Sequence, residues 1–125
     1  IKFVIKSDPW NPIQLNDFQK HRMELTSDSM LELLSKYNIV YTDNITSAAV
    51  DAYCMGKKVI SMQDPKMLNL SPLLDYKDVL FVNSSYQLAK VLNDFSFFVN
   101  FKREFFYLDS RLSRWTKLIN GEKLN

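Results

Sequence analysis

Five polar side chains, Thr42, Asp43, Asn44, Thr46 and Ser47, stand together between an apolar run and a helix-forming run. At the mouth of a helix, free main-chain N–H groups and the helix dipole favour an anion, most often phosphate. The hydroxyls of Thr46 and Ser47 and the amide of Asn44 can add hydrogen bonds to such a group. Asp51 follows Ser47 by one helical turn and shares its face. A carboxylate there can accept hydrogen bonds from ribose hydroxyls. The plainer alternative is that Asp43, Asn44 or Thr46 simply caps the helix. A cap uses one side chain and leaves the others without an explanation.

Other residue types narrow the chemistry. His21 is the only histidine and lies in the polar stretch DFQKHRMEL, as a surface residue would. His21 and Cys54 are too far apart to offer metal-ligand spacing, so no metal site is expected. Cys54 is expected on the apolar side of its helix, buried and inert. With Gly56 and Gly121 the only glycines, a glycine-rich phosphate loop is excluded. One cysteine also excludes an internal disulfide. The net charge of +2 is too small to argue for nucleic acid. Basic and aromatic residues do interleave in KREFFYLDSRLSRW, but at helical spacing, which favours a packing helix. No apolar run is long enough to cross a bilayer, and no signal peptide is visible.

These residues need elements to hold them. The spacing predicts strands over Lys2–Lys6, Arg22–Thr26, Asn38–Thr42, Lys58–Met62 and Val79–Val82. Met30, Leu33, Leu34 and Tyr37 recur at helical spacing within Asp28–Tyr37, with Ser27 as cap. A second helix spans Thr46–Met55 and is closed by Gly56. A third follows Ser84 or Ser85, and the tail Phe101–Ile119 reads as mainly helical, its aromatics packing on a neighbouring domain. QDPKMLNLSPLLDYKD is a long loop in which Ser71 either caps the next element or joins Asn69 over a ligand. Trp10 either stacks on a ligand or covers a sheet edge. Strands alternating with helices indicate parallel βαβ units. The 125 residues thus read as one α/β domain, a Rossmann-like three-layer sandwich with a parallel sheet of about five strands and a C-terminal helical tail. The chain opens within a strand pattern without Met, as a piece of a longer protein would.

The stretch YTDNITSAAVDAYCMGKKVI resembles the nucleotide-sugar half of GT-B glycosyltransferases. These share a strand, Asp-x-x-[Ser/Thr]-[Ser/Thr], a helix with an acidic residue before Ala, and Gly-Lys-x-Val-Ile. KSDPW near the start, LNLSPL (Leu68–Leu73) and FFYLDSRLSRW (Phe105–Trp115) more narrowly resemble bacterial surface-carbohydrate biosynthesis proteins. Those are similar in motif logic to sialyl- and Kdo-type transferases, which hold a CMP-sugar with a His-Pro and a Ser/Thr motif. The resemblance covers nearly the whole chain in family order.

The resemblance implies the C-terminal, donor-binding domain of a two-domain transferase that moves a sugar from a nucleotide donor to a surface glycan. Thr46, Ser47 and Asn44 would hold donor phosphate, and Asp51 the ribose. Ser7, Asp8, Pro9, Asn69 and Ser71 would lie on loops around the donor. Asp8-Pro9 stands where the family has His-Pro, and a carboxylate there repels phosphate; Asp8 is otherwise a turn residue. The catalytic base would lie on the N-terminal domain, so this chain alone would be inactive. No cofactor or metal is implied. The implied partners are a nucleotide-sugar, a glycan acceptor and that N-terminal domain. The implied location is the cytoplasm, with at most peripheral contact at the inner face of the membrane. Rival readings are a non-catalytic GT-B-like scaffold, a hydrolysing epimerase of the same plan, and a receiver-like signalling domain phosphorylated at Asp43. The last lacks an acidic pair after Lys2–Lys6 and has Asn83 where a lysine is needed.

Overall fold

A computed structural model describes residues 1–10, 12–14, 23–94, 105 and 112–121. The described elements run β1 (Phe3–Lys6), β2 (Met23–Thr26), α1 (Met30–Lys36), β3 (Ile39–Asp43), α2 (Ser47–Cys54), β4 (Lys58–Met62), β5 (Val79–Val82), α3 (Ser85–Asn93) and α4 (Ser113–Ile119). All strand pairs among them are parallel. The protein is therefore α/β. The expected single sheet of five strands is not what forms. β1 and β2 pair alone, and β3, β4 and β5 make a separate three-stranded sheet in that order. Apolar periodicity identifies a strand but carries no information about which strand bonds which. That choice belongs to the main-chain ladders.

The three-stranded sheet is covered on both faces, and alternation along its strands explains how. Val59 of β4 and Val79 of β5 join Leu34 of α1 and Ala49, Ala52 and Tyr53 of α2 in one cluster. Ile60, one residue on from Val59, and Val82, three on from Val79, join Val91 and Leu92 of α3 in the other. Successive side chains of a strand point to opposite faces, so a doubly covered strand reads as near-continuously apolar, as VLFV does and as KVISM does at Val59, Ile60 and Met62. Val59 and Ile60 are wholly buried, each contributing roughly 1.5–3 kcal/mol. Phe3 of β1 also packs against the α3-side cluster.

The two crossovers within this sheet differ. β3 reaches β4 through α2, whereas β4 reaches β5 through the loop 63–78, which contains no helix. Leu73 and Tyr76 of that loop enter the same cluster as α2. They fill the space a crossover helix would occupy. Tyr53, Tyr76 and Phe105 form an aromatic trio, with ring centres 4.8 Å apart for Tyr53–Tyr76 and 5.6 Å for Tyr76–Phe105. The tail therefore differs from expectation. Phe105 is not helical and packs on this domain's own core, and the described helix is confined to Ser113–Ile119. The remainder of the tail lies outside the described residues.

Local chemistry sets the boundaries. α1 begins after Ser29, not Ser27, because Ser29 and Glu32 form a reciprocal capping box. Ser84 caps α3 by accepting from the Gln87 N–H. Gly56 closes α2 at φ 73°, a left-handed conformation that costs glycine nothing. Cys54 is exposed, against expectation. The buried positions of α2 are Ala49, Ala52 and Tyr53, and Cys54 lies about 200° round the helix from Ala52.

Candidate functional site

β3 and β4 run in parallel and end side by side, with Asp43 paired to Met62. An open cleft of about 490 Å³ lies at these carboxyl ends. Tyr41 and Asp43 contribute from one face of β3, and Met62 and Asp64 from the end of β4. Thr42, Asn44, Ile45 and Met67 complete the wall. Such a position, beyond the carboxyl ends of parallel strands, is where open α/β sheets bind ligands.

The turn between β3 and α2 is tightly bonded to itself. The Asp43 carboxylate accepts from the Asn44 N–H at 2.6 Å, and the Thr42 hydroxyl donates to the Asp43 carbonyl at 2.7 Å. The Thr46 hydroxyl accepts from the Ala48 N–H at 3.0 Å and is the N-cap of α2. Three of the five clustered polar side chains thus serve the turn and the helix start. The side chains of Asn44 and Ser47 have no hydrogen bond among the described residues. Ser47 is exposed in the first turn, and Asp51 is exposed one turn further on. These two remain available to a ligand at the helix mouth.

Elsewhere the expected site residues also have local partners. The Asp8 carboxylate accepts from the Trp10 N–H at 2.7 Å, and the Ser7 hydroxyl accepts from the Ile13 N–H at 2.7 Å. Asp8 is therefore a turn-former ahead of the exposed Pro9. Trp10 is 95% exposed and has no ring contact among the described residues. Asn69 accepts from the Ser71 N–H at 3.0 Å, and the Ser71 hydroxyl accepts from the Leu73 N–H at 3.2 Å. This pair anchors Leu73 in the core. Of the nine expected site residues, Asn44 alone lines the cleft. His21 lies outside the described residues.

The cleft contains residues the sequence reading passed over: Tyr41, Met62, Asp64 and Met67. One signal was present. Asp64 follows the end of β4 as the polar cluster follows β3, and the same carboxyl-end rule applies to both. The electrostatics are one-sided. Asp43 and Asp64 line the cleft, and its lining contains no lysine, arginine or histidine. The Tyr41 phenol is held above its ordinary pKa, first by burial and then by the Asp43 carboxylate. A phosphate 4 Å from either carboxylate would be disfavoured by roughly 1–4 kcal/mol, depending on screening. The charge of the cleft lining therefore disfavours an anion within it. No group of three metal-ligating side chains occurs among the described residues, and no described helix is long and apolar enough to cross a membrane.

Comparison with protein-family models, with characterised proteins and with solved structures finds no match for this chain.

Proposed function

We propose that this chain is the nucleotide-sugar-binding domain of a GT-B-type glycosyltransferase that transfers a sugar from a nucleotide donor to a surface glycan. The observation that supports it most is the pairing of β3 and β4, which puts a cleft beside the mouth of α2 at the carboxyl ends of two parallel strands. The exposed hydroxyl of Ser47 and the free N–H groups of the first turn hold the donor phosphate as charge builds on the leaving group. Thr46 acts mainly by fixing that turn, and Asp51 accepts from the ribose. The base that activates the acceptor comes from a second domain, and the full enzyme works in the cytoplasm.

A second reading is a GT-B-like scaffold without catalysis. The bond between Asp8 and the Trp10 N–H favours it, because Asp8 stands where the resembled enzymes have histidine and is occupied in a turn. A ¹H–¹⁵N titration with CMP, UDP and GDP separates the two. Shifts at Ser47, Ala48 and Asp51 support the donor domain and name the base. A folded spectrum unmoved by millimolar nucleotide removes that reading and leaves the scaffold.

A further inference from the structure

We infer that the cleft formed by Tyr41, Asp43, Asn44 and Asp64 is a subsite for a neutral, hydroxyl-rich sugar ring, and that it rejects acidic sugars. Three independent features carry this. The first is the unpaired amide of Asn44. This residue is 6% exposed and lines the cleft, yet its side chain has no hydrogen bond among the described residues. Buried polar side chains are normally bonded, and one left open toward a cavity is set up to bond what enters. Its atoms offer a donor and an acceptor, the pair that a sugar hydroxyl can satisfy.

The second feature is the state of the two carboxylates. Asp43 accepts from the Asn44 N–H at 2.6 Å, and Asp64 accepts from the Lys66 N–H at 2.8 Å. Each is held in place by one oxygen. The other oxygen of each has no partner among the described residues. Fixed acceptors in a cleft whose lining contains no basic side chain select a ligand that donates hydrogen bonds and carries no negative charge. Two carboxylates and an amide are too few hard ligands to enclose calcium, which takes six to eight oxygens.

The third feature is the apolar wall. Tyr41 is 44% exposed, and Met62 and Met67 line the same space. An aromatic ring and two thioethers fit the C–H face of a pyranose, while its edge hydroxyls meet the carboxylates and the amide. Fixed carboxylates next to an apolar surface describe a site for a ring with one greasy face and a polar rim.

The inference rests on the donor-domain reading only for which sugar this is, the transferred one or the acceptor. The test is a ¹H–¹⁵N titration of the chain with glucose, N-acetylglucosamine and N-acetylneuraminate, and separately with nucleotides. Neutral sugars are expected to move the amides of Tyr41, Asn44 and Asp64, and N-acetylneuraminate to bind at least about tenfold more weakly. Asp43→Asn and Asp64→Asn, each with a retained folded spectrum, should weaken neutral-sugar binding about tenfold and narrow the gap to the acidic sugar. Tyr41→Ala should weaken all sugars alike. Equal or tighter binding of the acidic sugar overturns the inference, as do Asn variants that bind like the parent. If nucleotides shift Ser47 while no sugar shifts the cleft, the subsite is wrong and the donor reading stands. If neutral sugars bind and no nucleotide does, the subsite stands and the donor reading falls.

Discussion

Ser61 has no exposed surface, and its hydroxyl has no hydrogen-bond partner among the described residues. It sits in β4, the central strand, between Thr42 of β3 and Phe81 of β5. The Thr42 hydroxyl is directed to the Asp43 carbonyl instead. An unsatisfied buried hydroxyl costs about 1–3 kcal/mol. Ser61→Ala removes it and keeps the Cβ. The space left is that of one oxygen, and at about 24 cal/mol per Å³ of cavity the penalty stays below about 0.5 kcal/mol. The variant should therefore be more stable by about 1 kcal/mol, which for a chain of this size raises the melting temperature by about 4 °C. Urea unfolding followed by far-ultraviolet circular dichroism measures this. Fluorescence is a poor reporter, because Trp10 and Trp115 are 95% and 62% exposed in the folded chain. Ser61→Val should move the other way, since added methyl groups in a filled position cost about 1–3 kcal/mol. If Ser61→Ala lowers stability by more than about 0.5 kcal/mol, the hydroxyl has a partner and the reasoning fails.

Three further outcomes follow from local structure. Gly56→Ala should destabilise by about 1 kcal/mol through its positive φ alone, because a Cβ there meets nothing within 4 Å; Gly56→Asn should cost less, and equal melting temperatures for parent and alanine variant would contradict this. Ser29→Ala removes the capping box of α1 and should cost about 1 kcal/mol, with faster amide exchange in Met30–Lys36 as its local signature. Acid should loosen the same helix. The Glu32 carboxyl is held below its ordinary value of 4.5, first by the Ser29 hydroxyl, and Asp28 below 3.8, first by Lys36. Groups with depressed folded pKa values stabilise above their unfolded values and lose that contribution as pH falls through the folded ones. Amide exchange in α1 should thus rise relative to α2 as pH drops below 4.5, and an unchanged ratio down to acid unfolding would refute the assignment.

The strands Lys58–Met62 and Val79–Val82 were legible to the residue, because strands covered on both faces are near-continuously apolar and Gly56 and Asn83 bound them. The starts of α2 and α3 and the bounds of α1 were legible within a residue or two from caps and periodicity, whereas the tail read as helical from Phe101 and its described helix is only Ser113–Ile119. The misplaced start of α1 shows the limit: Ser27 and Ser29 both qualify as caps, and only the reciprocal bond to Glu32 decides between them. The α/β class and the parallel sense of the strands followed from the long connections between them. What neighbours what did not. The split into β1–β2 and β3–β4–β5, the loop that takes a helix's place over the sheet, and Phe105 folding back on Tyr53 and Tyr76 all depend on contacts far apart in sequence. The candidate site divides the same way. A polar cluster after β3 marks a place where a ligand can bind, and that much is local. Which of its side chains remain free is tertiary. Backbone N–H groups of the turn claim Asp43 and Thr46, and the amide of Asn44, with no hydrogen bond among the described residues, lines the cleft. Asp64, twenty residues beyond Asn44, reaches the same cleft only because β4 hydrogen-bonds to β3 in register.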